Sequence, residues 1–143
     1  MPKANKWKIT SAIVAFIPLL VILLCGYLNG KKYDQAIREN SSLTVGKVYG
    51  YEHINKHSPV LKYEFSFDGI VYYSTSSNST TNWLHWEDTY KTKFPKINRK
   101  TFPVYFSKDA PNKYNKILVT PEDFSEFNIG FPDSLNWVKT LLK

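Results

Sequence analysis

The chain has 143 residues, a formal charge of +7 and a single cysteine. That length holds one ordinary domain beside a membrane segment, and a lone cysteine excludes intramolecular disulfides. The basic surplus is divided between the flanks of a hydrophobic run (Lys3, Lys6, Lys8, Lys31 and Lys32) and a scatter among acids. It forms no basic stripe of the kind that nucleic-acid binding requires.

The run Ile9–Leu28 carries no charge between Lys8 and Lys31. Its length matches the roughly 20 residues a helix needs to cross a hydrocarbon core of about 30 Å. Twelve of its side chains are Leu, Ile, Val or Phe, which together favour insertion by about 4 to 7 kcal/mol. A cleaved signal peptide fits less well. The apolar core exceeds the usual ~7–15 residues, and the following YLNGKK has no A-x-A-like site. A lipoprotein signal ending at Cys25 would need a small residue before the cysteine, where Leu24 stands. Residues 1–30 are therefore expected to be an uncleaved single-pass anchor. Pro18 would make a mid-span kink, Cys25 would lie in the bilayer, and Tyr27 would sit near the interface. The basic flanks would meet anionic lipid headgroups. Positive charge is balanced across the run, so orientation rests on the short N-terminal tail staying cytoplasmic. That places the C-terminal domain outside the cytoplasm.

Residues 31–42 are polar and read as a helix continuation or stalk, stopped by Asn40, Ser41 and Ser42. Residues 43–143 form the soluble domain. From Leu43 the pattern is that of strands, with Val45, Lys47, Tyr49 and Tyr51 on one face and Thr44, Gly46, Val48 and Gly50 on the other. The two glycines predict a bulge or strong coiling. Val60–Phe67 alternates again, with Leu61, Tyr63, Phe65 and Phe67 facing one way. Asp68-Gly69 between two such runs is a type I′ hairpin signal, and Ile70–Ser76 is the returning strand.

A polar loop leads to WLHWEDTYKTKF, where Trp83, Trp86 and Tyr90 fall at helical spacing. Thr101–Phe106 reads as a strand that Pro103 assigns to an edge or bulge. Ser107–Asn112 is a turn and Asn115–Val119 a short strand. Thr120-Pro121-Glu122-Asp123 has the residues of a helix start. Asp133 can cap a last helix, whose stripe of Leu135, Val138, Leu141 and Leu142 is expected to pack on the sheet rather than on the membrane.

Three pieces carry a resemblance: Val45-Gly46-Lys47-Val48, the hairpin from Tyr63 to Tyr72, and Pro103–Phe106 followed by Asp109-Ala110-Pro111-Asn112 and a strand. Over roughly 43–119 the chain resembles a bacterial family of membrane-anchored proteins built on a small β domain of unknown function. The resemblance implies a partly open barrel of about five strands and a place in the bacterial inner membrane. Ala110 departs from the family pattern, which has Asn before that proline. No catalytic residue is carried over. The expected fold is thus a single transmembrane helix followed by a mainly-β small domain with one or two short C-terminal helices.

Chemistry-bearing constellations are sparse. His53, His57 and His85 fall short of a ligand set for zinc, which takes four close ligands or three plus water. No metal or cofactor is expected. Nucleophile elbows and phosphate-binding glycine loops are absent. Glu87-Asp88 and Glu122-Asp123 are adjacent acids whose side chains diverge on either a strand or a helix. The leading expectation is a non-enzymatic protein that presents its β domain to a protein partner through Tyr49, Tyr51, Trp83, Trp86 and Pro103. A narrower version is an immunity protein that meets a toxin at the membrane. A different class is a hydrolase-like enzyme using His85, Glu87 and Asp88. The sequence leaves the oligomeric state open.

Overall fold

A computed structural model describes the backbone of residues 5–53, 59–76 and 87–142; side chains are described for these except 5–16, 19, 53, 59, 87–91 and 142. The chain divides into two compact units, 1–36 and 37–143.

The first unit is nearly all of helix α1, Asn5–Arg38, whose 34 residues include Pro18. At a rise of about 1.5 Å per residue it is roughly 51 Å long. Residues 31–38 continue this helix instead of forming a separate stalk. Along it Leu20, Val21, Ile22, Leu23 and Leu24 are all exposed. Five consecutive positions sweep the whole helix circumference, so the apolar surface goes all the way round. Among the described residues, no helix is long and apolar enough to cross a membrane. The side chains of residues 9–16 and of Leu19 lie outside that description.

The second unit is a five-stranded antiparallel sheet curled into a half-barrel, with short helices against it. The strands are β1 (Ser41–His53), β2 (Pro59–Phe67), β3 (Ile70–Thr75), β4 (Thr101–Ser107) and β5 (Asn115–Ile117). They lie in the order β3-β2-β1-β4-β5. The expected hairpin is present: Asp68 and Gly69 have φ of 51° and 76°, as a type I′ turn requires, and Phe67 pairs with Ile70.

β1 organises the sheet. Its residues 41–47 pair with β4, and its residues 46–53 pair with β2. The register to β2 slips between Val48 and Gly50, so Tyr49 is an extra residue in the strand. Such a bulge sharpens the local twist and bends the sheet. Gly46 lies where both neighbours are present, opposite Phe65 on β2 and Phe102 on β4. A Cβ there would stand 2.5 Å from Val104 Cγ2 and 3.0 Å from the Glu64 carbonyl oxygen. Glycine at 46 is what allows the inner face to close.

The inner face carries Val48, Leu61, Tyr63, Phe65, Phe102, Val104 and Phe106, all buried. Phe106 packs on Phe65 and Phe67 with ring centroids 5.5 Å and 4.9 Å apart. The Tyr63 hydroxyl donates to Asn115 Oδ1 at 2.5 Å, and Asn115 Nδ2 donates to the Pro111 carbonyl at 2.6 Å.

Helix α2, Glu87–Ile97, contains Pro95, and the Trp83–Trp86 part of the expected helix lies outside the described residues. Helix α3, Pro121–Glu126, begins as expected, with Thr120 as N-cap in a reciprocal capping box with Asp123 and Pro121 in the first turn. It ends at Phe127, before Gly130 and Pro132 are reached. The last segment is a 3-10 turn, Asp133–Leu135, that runs into helix α4, Asn136–Leu142. Pro132, not Asp133, holds the cap position, and the Asp133 carboxylate instead accepts from Asn136 Nδ2 at 3.2 Å. The stripe expectation holds where it is described: Leu135, Val138 and Leu141 are buried, and Trp137 packs on Phe102 of β4.

The edge assignment of Pro103 is corrected. β4 lies between β1 and β5, with Pro103 opposite Val45. The Leu118 amide donates to the Pro103 carbonyl at 2.8 Å, and the Ser107 amide donates to the Tyr114 carbonyl at 2.9 Å. The backbone groups of odd-numbered β4 residues therefore face β5. Pro103 lies one position beyond the last β4–β5 pair, Val104↔Ile117. Its missing N–H thus falls where that ladder ends, and no bond to β1 is lost.

A buried ion cluster fixes α3 to β5. Lys116, only 5% exposed, places its ammonium 2.5 Å from Glu126 and 3.3 Å from Asp123. The second Asp123 oxygen accepts from the Val119 amide (3.1 Å), the Thr120 amide (2.9 Å) and the Thr120 hydroxyl (3.1 Å).

Two substitutions test these constraints, read by chemical denaturation of the full chain. Gly46→Ala should destabilise the fold by about 1–3 kcal/mol through overpacking. Gly50→Ala should be tolerated, because its Cβ would meet only Lys62 at 3.8 Å. Asp123→Ala should cost about 3 kcal/mol, since a buried cation loses a partner and three donors lose their acceptor.

Candidate interaction surface

Alternation along β1 sends Val45 and Lys47 outward while Gly46 and Val48 point inward. The extra residue at Tyr49 then reverses the parity: Gly50 lies opposite Lys62 on the outer side and Tyr51 opposite the buried Leu61, so Tyr51 faces the inner side, against the expected pattern. The outer face of the sheet continues this layout in cross-strand rows. Tyr73 lies opposite Glu64, Glu64 opposite Lys47, and Lys47 opposite Thr101. A neighbouring row places Val71 opposite Ser66, and Val45 opposite Pro103. The centre of the face therefore pairs one cation with one carboxylate, flanked by apolar and aromatic side chains. Val45 (64%), Val71 (50%) and Tyr73 (65%) are well exposed.

Tyr49 extends the surface toward the far end of β1. It is pushed out by the bulge and meets Tyr73 edge-on, ring centroids 6.0 Å apart. Tyr51, on the inner side, meets Phe94 of α2 edge-on at 4.6 Å. Near this end Glu52 and Lys62 form an ion pair at 3.1 Å. Both are substantially exposed, so the pair contributes less than about 1 kcal/mol.

Two shallow hollows mark the same face. One, of about 250 Å³, is lined by residues including Val45, Lys47, Glu64, Ser66, Val71 and Tyr73. The other, of about 170 Å³, lies between β4 and the 3-10 turn and includes Val45, Pro103, Pro132 and Leu135. Both are smaller than the roughly 300–1,000 Å³ of a small-molecule site. They have the size of a few protruding side chains from a macromolecular partner.

The structure thus brings Tyr49 and Pro103 onto one face, with Pro103 half-buried at the second hollow, and places Tyr51 on the opposite side of the sheet. Trp83, Trp86 and His85 lie outside the described residues, as do the side chains of His53, His57, Glu87 and Asp88. Among the transmembrane candidates, Pro18, Cys25 and Leu28 are exposed on α1, and the Ile9 side chain is outside the description. Among the described residues, no group of His, Cys, Asp and Glu is arranged to hold a metal ion. The aromatic surplus of the sequence (Tyr49, Tyr51, Tyr72, Tyr73, Trp83 and Trp86 cannot all be buried in so small a domain) already points to Tyr73, but sequence reasoning missed Val71 as a member of the surface. The signal available was the uncharged strand IVYYST following a two-residue turn, which forces Val71 and Tyr73 onto one face.

Compared with models of known protein families, with curated proteins and with solved structures, the chain matches none. The resemblance drawn from its strand and turn residues therefore rests on those residues alone.

Proposed function

We propose that this chain is a non-enzymatic, single-pass protein of a bacterial cell membrane, whose half-barrel binds a protein partner through its outer sheet face. The observation that carries the binding role is the uncovered face itself: Val45, Tyr49, Val71 and Tyr73 form a contiguous exposed apolar and aromatic surface around the Lys47–Glu64 pair. Exposed tyrosines supply large contact area with few torsions to freeze, and such rings dominate protein interfaces. A central charge pair gives register and selectivity to a partner that presents the complementary pair.

The membrane role is supported by α1. Its run of Leu20–Leu24 is exposed around the full circumference, and a helix apolar all round is a buried or membrane-spanning helix, not an amphipathic surface one. The uncharged stretch from Ile9 to Leu28 supplies the required length, and Lys31 packs over the Tyr27 ring at 4.8 Å, an aromatic–basic pair suited to an interface.

Alkaline carbonate extraction of cell membranes should leave the full chain in the pellet. Release into the supernatant would reject the anchor. A photo-crosslinking residue in place of Val45 should give one discrete adduct in cells, and Tyr49→Ala should weaken that capture about 30-fold, corresponding to a hot-spot loss of about 2 kcal/mol. Unchanged capture would remove the outer face from the binding role.

A further inference from the structure

The half-barrel has two edges, and they differ. β5 is three residues long and buried throughout. β3 spans Ile70–Thr75, with Ile70, Val71 and Tyr73 more than half or about half exposed.

Its backbone parity is fixed. The Ser76 amide donates to the Leu61 carbonyl at 2.8 Å, and Phe67 and Ile70 are partners across the turn. Even-numbered β3 residues therefore bond to β2, and the amides and carbonyls of Val71, Tyr73 and Thr75 point away from the sheet. Among the described residues these groups have no hydrogen-bond partner. Natural edges are usually blunted by charge, proline or a bulge, because a row of free backbone groups templates strand addition. β3 reads IVYYST and has neither charge nor proline, and its ladder to β2 runs without a register shift.

From this we infer that β3 pairs antiparallel with β3 of a second copy of the chain, about a two-fold axis passing through Tyr73. Only outward-pointing groups can pair, so odd positions must face odd positions. The symmetric register that uses all three puts Tyr73 opposite Tyr73 and Val71 opposite Thr75. It forms about six backbone hydrogen bonds, against about four for a register centred on Tyr72. A closed two-fold contact of this kind is isologous, so one strand satisfies both partners. On a chain of charge +7, an uncharged strand is also where two copies approach with least repulsion. Tyr73 and Val71 gain cross-strand neighbours on the outer face, which further stabilises the pairing.

Disulfide trapping in the full chain carrying Cys25→Ser, purified in detergent micelles, tests the register. Directly opposed residues of a hydrogen-bonded pair have Cα atoms about 5.5 Å apart, within disulfide range. Tyr73→Cys should cross-link to itself, and Val71→Cys should cross-link to Thr75→Cys when the two proteins are mixed. Val71→Cys alone and Thr75→Cys alone should stay monomeric, because like positions sit four residues, roughly 13 Å, out of register. In sedimentation, Tyr73→Lys and Tyr73→Glu should each lose the dimer that the unsubstituted chain forms, and their mixture should restore it. These exposed substitutions should leave the circular dichroism spectrum unchanged. Absence of cross-linking at position 73, equal cross-linking at all three positions, or a dimer indifferent to both charge substitutions would overturn the inference. A strand from a different protein as occupant would show as the first of these results.

Discussion

The close approach of β4 and β2 to Gly46 of β1 is the constraint on which the β domain depends. β1 is thirteen residues long, yet its neighbours share it: β4 takes the first half and β2 the second, overlapping around Gly46 and Lys47. A sheet whose central strand changes partners along its length must twist, and the extra residue at Tyr49 adds to that twist just past the overlap. The inner face then brings Phe65, Phe102 and Phe106 together, which a side chain at 46 would hold apart. The same geometry decides the outer face, because each inward residue on β1 commits its neighbours outward.

Closure at the β5 end is achieved differently. There the sheet edge is short, and a cation replaces further ladder bonds. Lys116 lies between Asp123 and Glu126 and within 5.8 Å of the Phe127 ring centroid. Taking an ammonium out of water is costly, and the cost is met only when geometry and hydrogen bonding are complete. Asp123 meets that demand by also capping α3 and accepting the Val119 and Thr120 amides. One carboxylate therefore ends a strand, starts a helix and neutralises a buried lysine. Arg38 adds a further tie by donating to the Glu126 carbonyl at 2.7 Å and lying over the Phe127 ring.

These two ends leave the molecule asymmetric in a way that bears on function. The β5 edge is buried, and the inner face is filled by aromatic rings and by α4. The outer face and the β3 edge retain exposed apolar side chains, and among the described residues β3 also retains backbone groups without a partner. Tyr73 belongs to both surfaces. A partner on the face and a second copy at the edge would each bury it, so the two associations are expected to be coupled through this residue.

Much of this was legible in the sequence, and for local reasons. Asp68-Gly69 dictates its hairpin because positive φ at both positions is a property of those two residues and their neighbours alone. Thr120-Pro121 and Asp123 dictate the start of α3 in the same way. Period-two alternation assigned inner and outer faces correctly in β2 and in β1 as far as Val48, but the bulge at Tyr49 reverses the parity beyond it and turns Tyr51 to the inner side. What could not be read is non-local. Pro103 looks like a mark of an edge strand until β4 is seen between β1 and β5, where the proline is accommodated because the β4–β5 ladder stops one position short of it. Asp133 looks like a cap, and only the 3-10 turn shows that Pro132 takes that position. The strand order, the shared use of β1 and the burial of Lys116 depend on residues tens of positions apart. Sequence patterns of turn chemistry and alternation fix what each segment becomes; which segments become neighbours, and hence which backbone edge is left without a partner among the described residues at Val71, Tyr73 and Thr75, is decided only when the chain packs.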